Sequence, residues 1–194
     1  ELKDAGMDEN MVGVLPRVEN LDEISSNIKF EQSIETSILN IETIFSSNQN
    51  LEKINACKKI VFTSPTAENG KSFISRNVAF GLARIGHRVL LIDGDLKRGD
   101  QHKSFSKDTI DLKTFNNLTL EKVDDLKVED NLYLITRIKK LKNTFEHLYG
   151  DKFLNKIDEL EDFFEYIIID TAPVLNVSDT SLLMTSSDLN LLVI

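Results

Sequence analysis

Short apolar runs punctuate the chain at Ile60-Val61-Phe62-Thr63, Val89-Leu90-Leu91-Ile92-Asp93, Leu132-Tyr133-Leu134-Ile135, Tyr166-Ile167-Ile168-Ile169-Asp170 and residues 191–194. They are continuous instead of alternating, the pattern required of strands buried on both faces of a parallel sheet. Helical periodicity separates most of them. Residues 72–85 carry Phe73, Val78, Leu82 and Ile85 on one side and stop at Gly86, a residue suited to the left-handed position after a helix. Phe153, Leu154, Ile157, Leu160 and Phe164 recur at helical spacing between the third and fourth runs. Strand and helix in alternation predict an α/β fold with a doubly wound, mostly parallel sheet. Upstream, Ile34, Ile38, Ile41 and Phe45 predict an amphipathic helix over about residues 31–46, expected to pack on the sheet, with a polar loop at residues 46–50 after it. Residues 107–130 are the least patterned part of the interior, and there is no internal repeat or low-complexity tract.

Composition narrows the class. The chain has 194 residues, 41% of them apolar, which is enough for a core of its own. Its 23 Lys and Arg against 32 Asp and Glu give a formal charge of -9, a field that repels nucleic acid. A single cysteine, Cys57, excludes an intramolecular disulfide framework and a thiolate zinc cluster, and fits a reducing compartment as a packing residue. No run approaches the roughly 20 apolar residues needed to span a bilayer. The chain starts on Glu1 and ends within an apolar run, so it is expected to be a piece of a longer protein.

The sharpest chemical signal is Ser64-Pro65-Thr66-Ala67-Glu68-Asn69-Gly70-Lys71-Ser72, directly after one predicted strand and directly before a helix. A phosphate-binding loop needs that context, since backbone N–H groups of the loop and helix N-terminus must point at the anion. Lys71 would reach the terminal phosphates and Ser72 would hold Mg²⁺. Thr66, Ala67, Glu68, Asn69, Gly70 and Phe73 complete the expected nucleotide-binding set. The loop is glycine-poor: Pro65 stands five residues before Gly70, where such loops have glycine, and Glu68 adds a carboxylate near the phosphates.

Asp93 and Asp95 follow the second apolar run and Asp170 ends the fourth, so all three are expected at the carboxyl ends of neighbouring parallel strands, where open α/β sheets bind ligands. With Ser72 they form the expected Mg²⁺ set, binding directly or through water. The plainer alternative is that such aspartates cap the next helix, as Ser178 or Asp179 would do after Asp170. On this reading the chain divides into an N-terminal extension with its helix, residues 1–50, and a P-loop nucleotide-binding domain, residues 51–194.

These motifs resemble those of the bacterial tyrosine kinases (BY-kinases), cytoplasmic domains of the polysaccharide co-polymerases that control chain length in capsule and exopolysaccharide export. SPTAENGKSF resembles their Walker A loop, LLIDGDLKRGDQHKSF their Walker A′ and IIIDTAPVLNVSDT their Walker B, while MVGVLPR resembles the stretch after their second membrane helix. The resemblance runs from about residue 11 to residue 194. It implies ATP or ADP with Mg²⁺ as cofactors and transfer of the ATP γ-phosphoryl group to tyrosine. Lys71, Asp95 and Asp170 would form the catalytic set, with Asp95 serving the metal or accepting the tyrosine proton and Lys97 and Arg98 adding positive charge. It also implies other copies of the chain and a membrane-spanning co-polymerase part as partners, at the cytoplasmic face of the bacterial inner membrane.

Several family features are altered. Ile34 and Ser37 stand where two ring-forming arginines follow a glutamate at three-residue steps, so the ring is not expected to form. Lys97 replaces an arginine, and Ala172-Pro173 replaces two prolines. The C-terminal tyrosine cluster is missing, since the tyrosines are Tyr133, Tyr149 and Tyr166; substrate tyrosines are therefore expected outside this chain. Two other functions share the scaffold: a degenerate, non-catalytic co-polymerase module, and the partition or septum-positioning switch ATPases, whose signature lysine is replaced here by Thr66. His87, His102 and His147 are assigned no chemistry. Lys71→Met is expected to weaken nucleotide binding and leave the fold intact, the ammonium facing phosphates and not the core. Asp95→Asn and Asp170→Asn are each expected to lower Mg²⁺-dependent binding or turnover, and one of them to stabilise the metal-free protein by relieving repulsion among clustered carboxylates.

Overall fold

The computed structural model describes residues 11–16, 28–47, 56–95, 99, 101–108, 115, 118–136, 152–175 and 178–194. The chain divides into two compact units, Glu1–Ile54 and Asn55–Ile194. In the first, helix α1 spans Ile28–Ser47 and buries Phe30, Ile34, Ser37, Ile38 and Ile41. The extended residues 11–16 lie along it: Asn40 Nδ2 donates to the Val12 carbonyl at 2.8 Å, and Gly13 packs against the Ser37 side chain. Ile34 and Ser37 thus belong to the inward stripe of the helix and present nothing charged to a neighbour, while Glu31 is exposed.

The second unit holds a six-stranded sheet of order β3-β4-β2-β5-β1-β6. Its strands are β1 Lys58–Thr63, β2 Val89–Asp93, β3 Lys127–Glu129, β4 Leu132–Ile135, β5 Tyr166–Asp170 and β6 Leu189–Leu192. All pairings are parallel except that of β3 with β4. The helices of this unit are α2 Lys71–Arg84, the short α3 Gln101–Ser104, α4 Lys152–Leu160 and α5 Ser178–Thr185, and 3₁₀ turns cover Leu120–Leu126 and Glu161–Phe163. The doubly wound, mostly parallel sheet is the one the apolar runs indicate. Val61, Leu90, Ile92, Ile167 and Ile169 join Phe153, Ile157, Leu160, Phe115 and Val123 in one core cluster. The alternate strand residues Ile60, Phe62, Leu91 and Ile168 are left for the opposite face, and α2 packs on β1, β2 and β5.

Three elements depart from expectation. Strand β3 was not foreseen: its Lys-Val-Glu sequence has no apolar run, and the two-residue turn Asp130-Asn131, with Asn131 at φ 61°, folds it back on β4. Strand β6 alternates half-buried and exposed residues because it stands at the sheet edge and not inside it. Ile85 is 58% exposed and not on the buried side of α2, because the helix ends at Arg84 and the chain has already turned toward Gly86. Among the described residues no helix is long and apolar enough to cross a membrane.

Candidate nucleotide site at the carboxyl edge of the sheet

The central strands β2, β5 and β1 end side by side, with Asp93 opposite Asp170 and Phe62 opposite Asp170 in the parallel registers. The chain leaves β2 toward the β4 side of the sheet and leaves β5 toward the β6 side, so the connections diverge between β2 and β5, the kind of switch point at which open α/β sheets form a binding crevice. Into it comes the loop of residues 64–70 between β1 and α2. Its few glycines are offset by local hydrogen bonds: Ser64 Oγ donates to the Thr66 carbonyl at 2.7 Å, and the Val174 backbone N–H donates to the Ser64 carbonyl at 2.9 Å. The partners around Asn69 orient its amide NH₂ toward Thr66 Oγ1 (2.8 Å), Thr66 O (2.9 Å) and Ala67 O (3.1 Å). Glu68 takes a left-handed conformation, φ 68°, and its side chain is exposed, as are Thr66 and Ala67. Gly70, at φ 81°, is the N-cap of α2, a backbone conformation that disfavours any side chain. No side chain caps the helix there, so its first N–H groups and the positive end of its dipole face the crevice.

Lys71 and Asp170 meet inside this crevice. Lys71 Nζ lies 3.0 Å from Asp170 Oδ1 and 3.2 Å from Ser72 Oγ, with side-chain exposures of 10% for Lys71 and 1% for Asp170. The expectation that the ammonium faces phosphates and not the core is modified: it neutralises a buried carboxylate, which could not stay charged alone in that position. Ser72 and Phe73 are half-buried, and the Arg76 guanidinium stands 5.7 Å from the Phe73 ring centre and bonds Ser104 Oγ. Burial pulls Arg76 below the ordinary guanidinium range, against the opposing pull of the Asp170 charge.

The aspartates separate into different roles. Asp93 is buried, its Oδ2 accepts the Gln101 N–H at 3.0 Å, and a Cβ at Gly99 would collide with its carboxylate. That close approach makes Asp93 an anchor for the loop after β2, the role that the capping alternative gives it, while its strand-end position keeps it beside Asp170. Asp95 is half-buried in that loop, and its carbonyl accepts the Gly99 N–H at 2.8 Å. Among the described residues no group of three or more His, Cys, Asp or Glu side chains is placed to hold a metal. The crevice fits Mg²⁺ held by phosphates, water, Ser72 and one carboxylate, the usual manner of this ion, better than an all-protein cage. Lys97, Arg98, Tyr149, His147 and the Ser178 and Asp179 side chains lie outside the described residues.

Gln101 was not singled out in the sequence. Its side chain, 1% exposed, donates from Nε2 to Asp170 Oδ2 and to the Ser72 carbonyl, both at 2.8 Å, and lies 3.4 Å from Ser75 Oγ. The one signal for it was a polar residue just past a D-x-D sequence, masked by the basic residues around it.

A family model described as an AAA domain matches residues 57–194. The chain belongs to that AAA-domain family. This AAA domain is 38% identical over 137 residues to the tyrosine-protein kinase ptk of Acinetobacter johnsonii, an overlap of 69% of the present chain and 19% of ptk. It therefore spans about a fifth of that relative's length. The kinase domain of the Escherichia coli tyrosine kinase ETK shares its fold with a TM-score of 0.80 at 23% identity, over 99% of this chain and 79% of that one. A ParA family ATPase from Chlorobium tepidum matches less well, with a TM-score of 0.56 at 21% identity over 70% of this chain and 59% of that one. The relatives and the fold are those of bacterial tyrosine kinase domains, as the three Walker-type motifs indicated.

Proposed function

We propose that the chain is the nucleotide-binding part of a bacterial protein-tyrosine kinase that regulates capsular or exopolysaccharide polymerisation and export. The observation that carries this reading is the Lys71–Asp170 pair at the uncapped N-terminus of α2, set beside Ser72 at the carboxyl edge of the sheet. When bound, Mg-ATP supplies the transferable phosphoryl group. The N–H groups of residues 70–73 would hold its phosphates, Lys71 would neutralise charge on them, and Ser72 and Asp170 would hold Mg²⁺ directly or through water. Asp95 would serve the metal or accept the tyrosine proton. Other copies of the chain and a membrane-spanning co-polymerase part are the proposed partners, which places the domain at the cytoplasmic face of the inner membrane.

Acceptor tyrosines are proposed to come from outside. Tyr166 is fully buried, with its hydroxyl bonded by Lys58 Nζ at 3.1 Å. Tyr133 is buried edge-on to Phe164. Neither can enter an active site without unfolding a central strand. Incubation with labelled ATP and Mg²⁺ plus a tyrosine-rich peptide, read by mass spectrometry, tests this reading: phosphate on the peptide and none on Tyr133 or Tyr166. Nucleotide binding without any peptide phosphorylation would instead favour a non-catalytic co-polymerase module.

A further inference from the structure

We propose that Gln101 is a positioning residue of the nucleotide site, whose side-chain amide holds Asp170 and the start of α2 in one register while Lys71 exchanges Asp170 for phosphate. The inference rests on the nucleotide reading above.

Asp170 uses both carboxylate oxygens in this structure: Oδ1 faces Lys71 at 3.0 Å and Oδ2 accepts from Gln101 at 2.8 Å. With Lys71 on a phosphate, Oδ1 would lose this donor while Oδ2 kept its bond to Gln101. Without a second restraint, a buried carboxylate losing its only donor would rotate or drag the β5 end with it. Gln101 supplies that restraint and ties it to the phosphate loop, because the same NH₂ group donates to the Ser72 carbonyl at 2.8 Å. The amide orientation is unambiguous, since both of those partners are acceptors and only NH₂ satisfies them. Its backbone is pinned in turn by Asp93, which accepts the Gln101 N–H at 3.0 Å. One residue thereby links the ends of β2 and β5 to the start of α2.

Packing alone does not explain a glutamine here. Its Oε1 is buried and has no hydrogen-bond partner among the described residues. An orphaned buried acceptor is costly, and methionine would fill nearly the same volume without it. The polar side chain is explained by its two donor contacts.

The test is calorimetric titration of ADP into the 194-residue chain with excess Mg²⁺ and with EDTA, giving the factor by which Mg²⁺ improves ADP affinity. Gln101→Met is expected to shrink that factor about 10-fold, the weight of one hydrogen bond to a charged group. In an Asp170→Asn background the same change is expected to add nothing, because the effect passes through Asp170. Gln101→Asn keeps the amide on a stem one methylene too short; it should reproduce the loss and serves where the methionine variant does not fold. A Mg²⁺ factor equal to wild type in a folded variant, or additive losses in the double variant, overturns the inference alone. No ADP binding by the wild type overturns the nucleotide reading and this inference with it.

Discussion

The two edges of the sheet both carry ion pairs, and they differ in what the pairs stand in. At the carboxyl edge Lys71 and Asp170 have side-chain exposures of 10% and 1%, and Gln101 closes over them. At the amino edge Arg88 meets Asp124 at 3.5 Å with exposures of 40% and 83%, and His87 Nδ1 hydrogen-bonds Glu165 at 3.0 Å with exposures of 25% and 57%. Arg88 also lies over the Tyr133 and Phe164 rings, 5.0 and 5.5 Å from their centres, so its stem and its charge both serve packing. Exposed pairs add little stability and lose little when broken. A buried pair carries a heavy desolvation cost, and apolar residues of the same size would often be as stable. On the proposed function, the carboxyl edge keeps its charges for a ligand that would exchange partners with them.

The difference breaks most visibly when one partner of each pair is removed. Lys71→Met and Asp170→Asn are each expected to lower unfolding stability by about 3 kcal/mol in denaturant titration, since each leaves a buried group without its partner. This replaces the sequence-based expectation of an intact fold for the first and relief from repulsion for the second. A midpoint shift too small to resolve in both variants would put the two edges on the same footing.

That correction shows what the sequence carries and what it hides. The central strands are legible because Ile167-Ile168-Ile169 and Leu90-Leu91-Ile92 have to be buried on both faces, and no other common element asks for that. The phosphate loop is legible because Gly70-Lys71-Ser72 sits between a strand and a helix. Partner choice is not legible. Asp93 and Asp170 end neighbouring strands in register with each other, yet one accepts a backbone N–H and the other a lysine, which follows from where the loop after β2 turns. Gln101 and β3 escaped for a related reason: neither has an apolar pattern, and both are fixed by contacts distant in sequence.

At the amino edge, Glu165→Gln is expected to shift stability by less than about 1 kcal/mol, and less still in high salt. Burial works to raise the Glu165 carboxyl, but the Arg88 N–H and His87 outweigh it and hold it below its ordinary value. Its contribution is thus present above the ordinary carboxylate range and fades as pH falls through the lowered value. Comparing wild type with Glu165→Gln in acid unfolding checks this: the curves should converge at low pH, and a gap that widens there would reverse the sign.

Cys57, just before β1, sharpens the contrast on the smallest scale. Burial, reinforced by the Glu161 and Asp188 charges and opposed by Lys59, pushes its thiol up to about 12. At neutral pH it should react with a disulfide reagent far more slowly in the folded chain than in denaturant. Equal rates would show that this half-buried position is as open as the ion pairs around it.

The most direct measurement is titration of Mg-ADP into wild type and Lys71→Met, at a temperature where circular dichroism shows both folded. If Lys71 leaves Asp170 for the phosphates, the variant binds about 10- to 100-fold more weakly, as expected for a lost hydrogen bond between charged groups. Equal affinity would mean that Lys71 stays with Asp170 throughout and that the carboxyl-edge pair is structural after all.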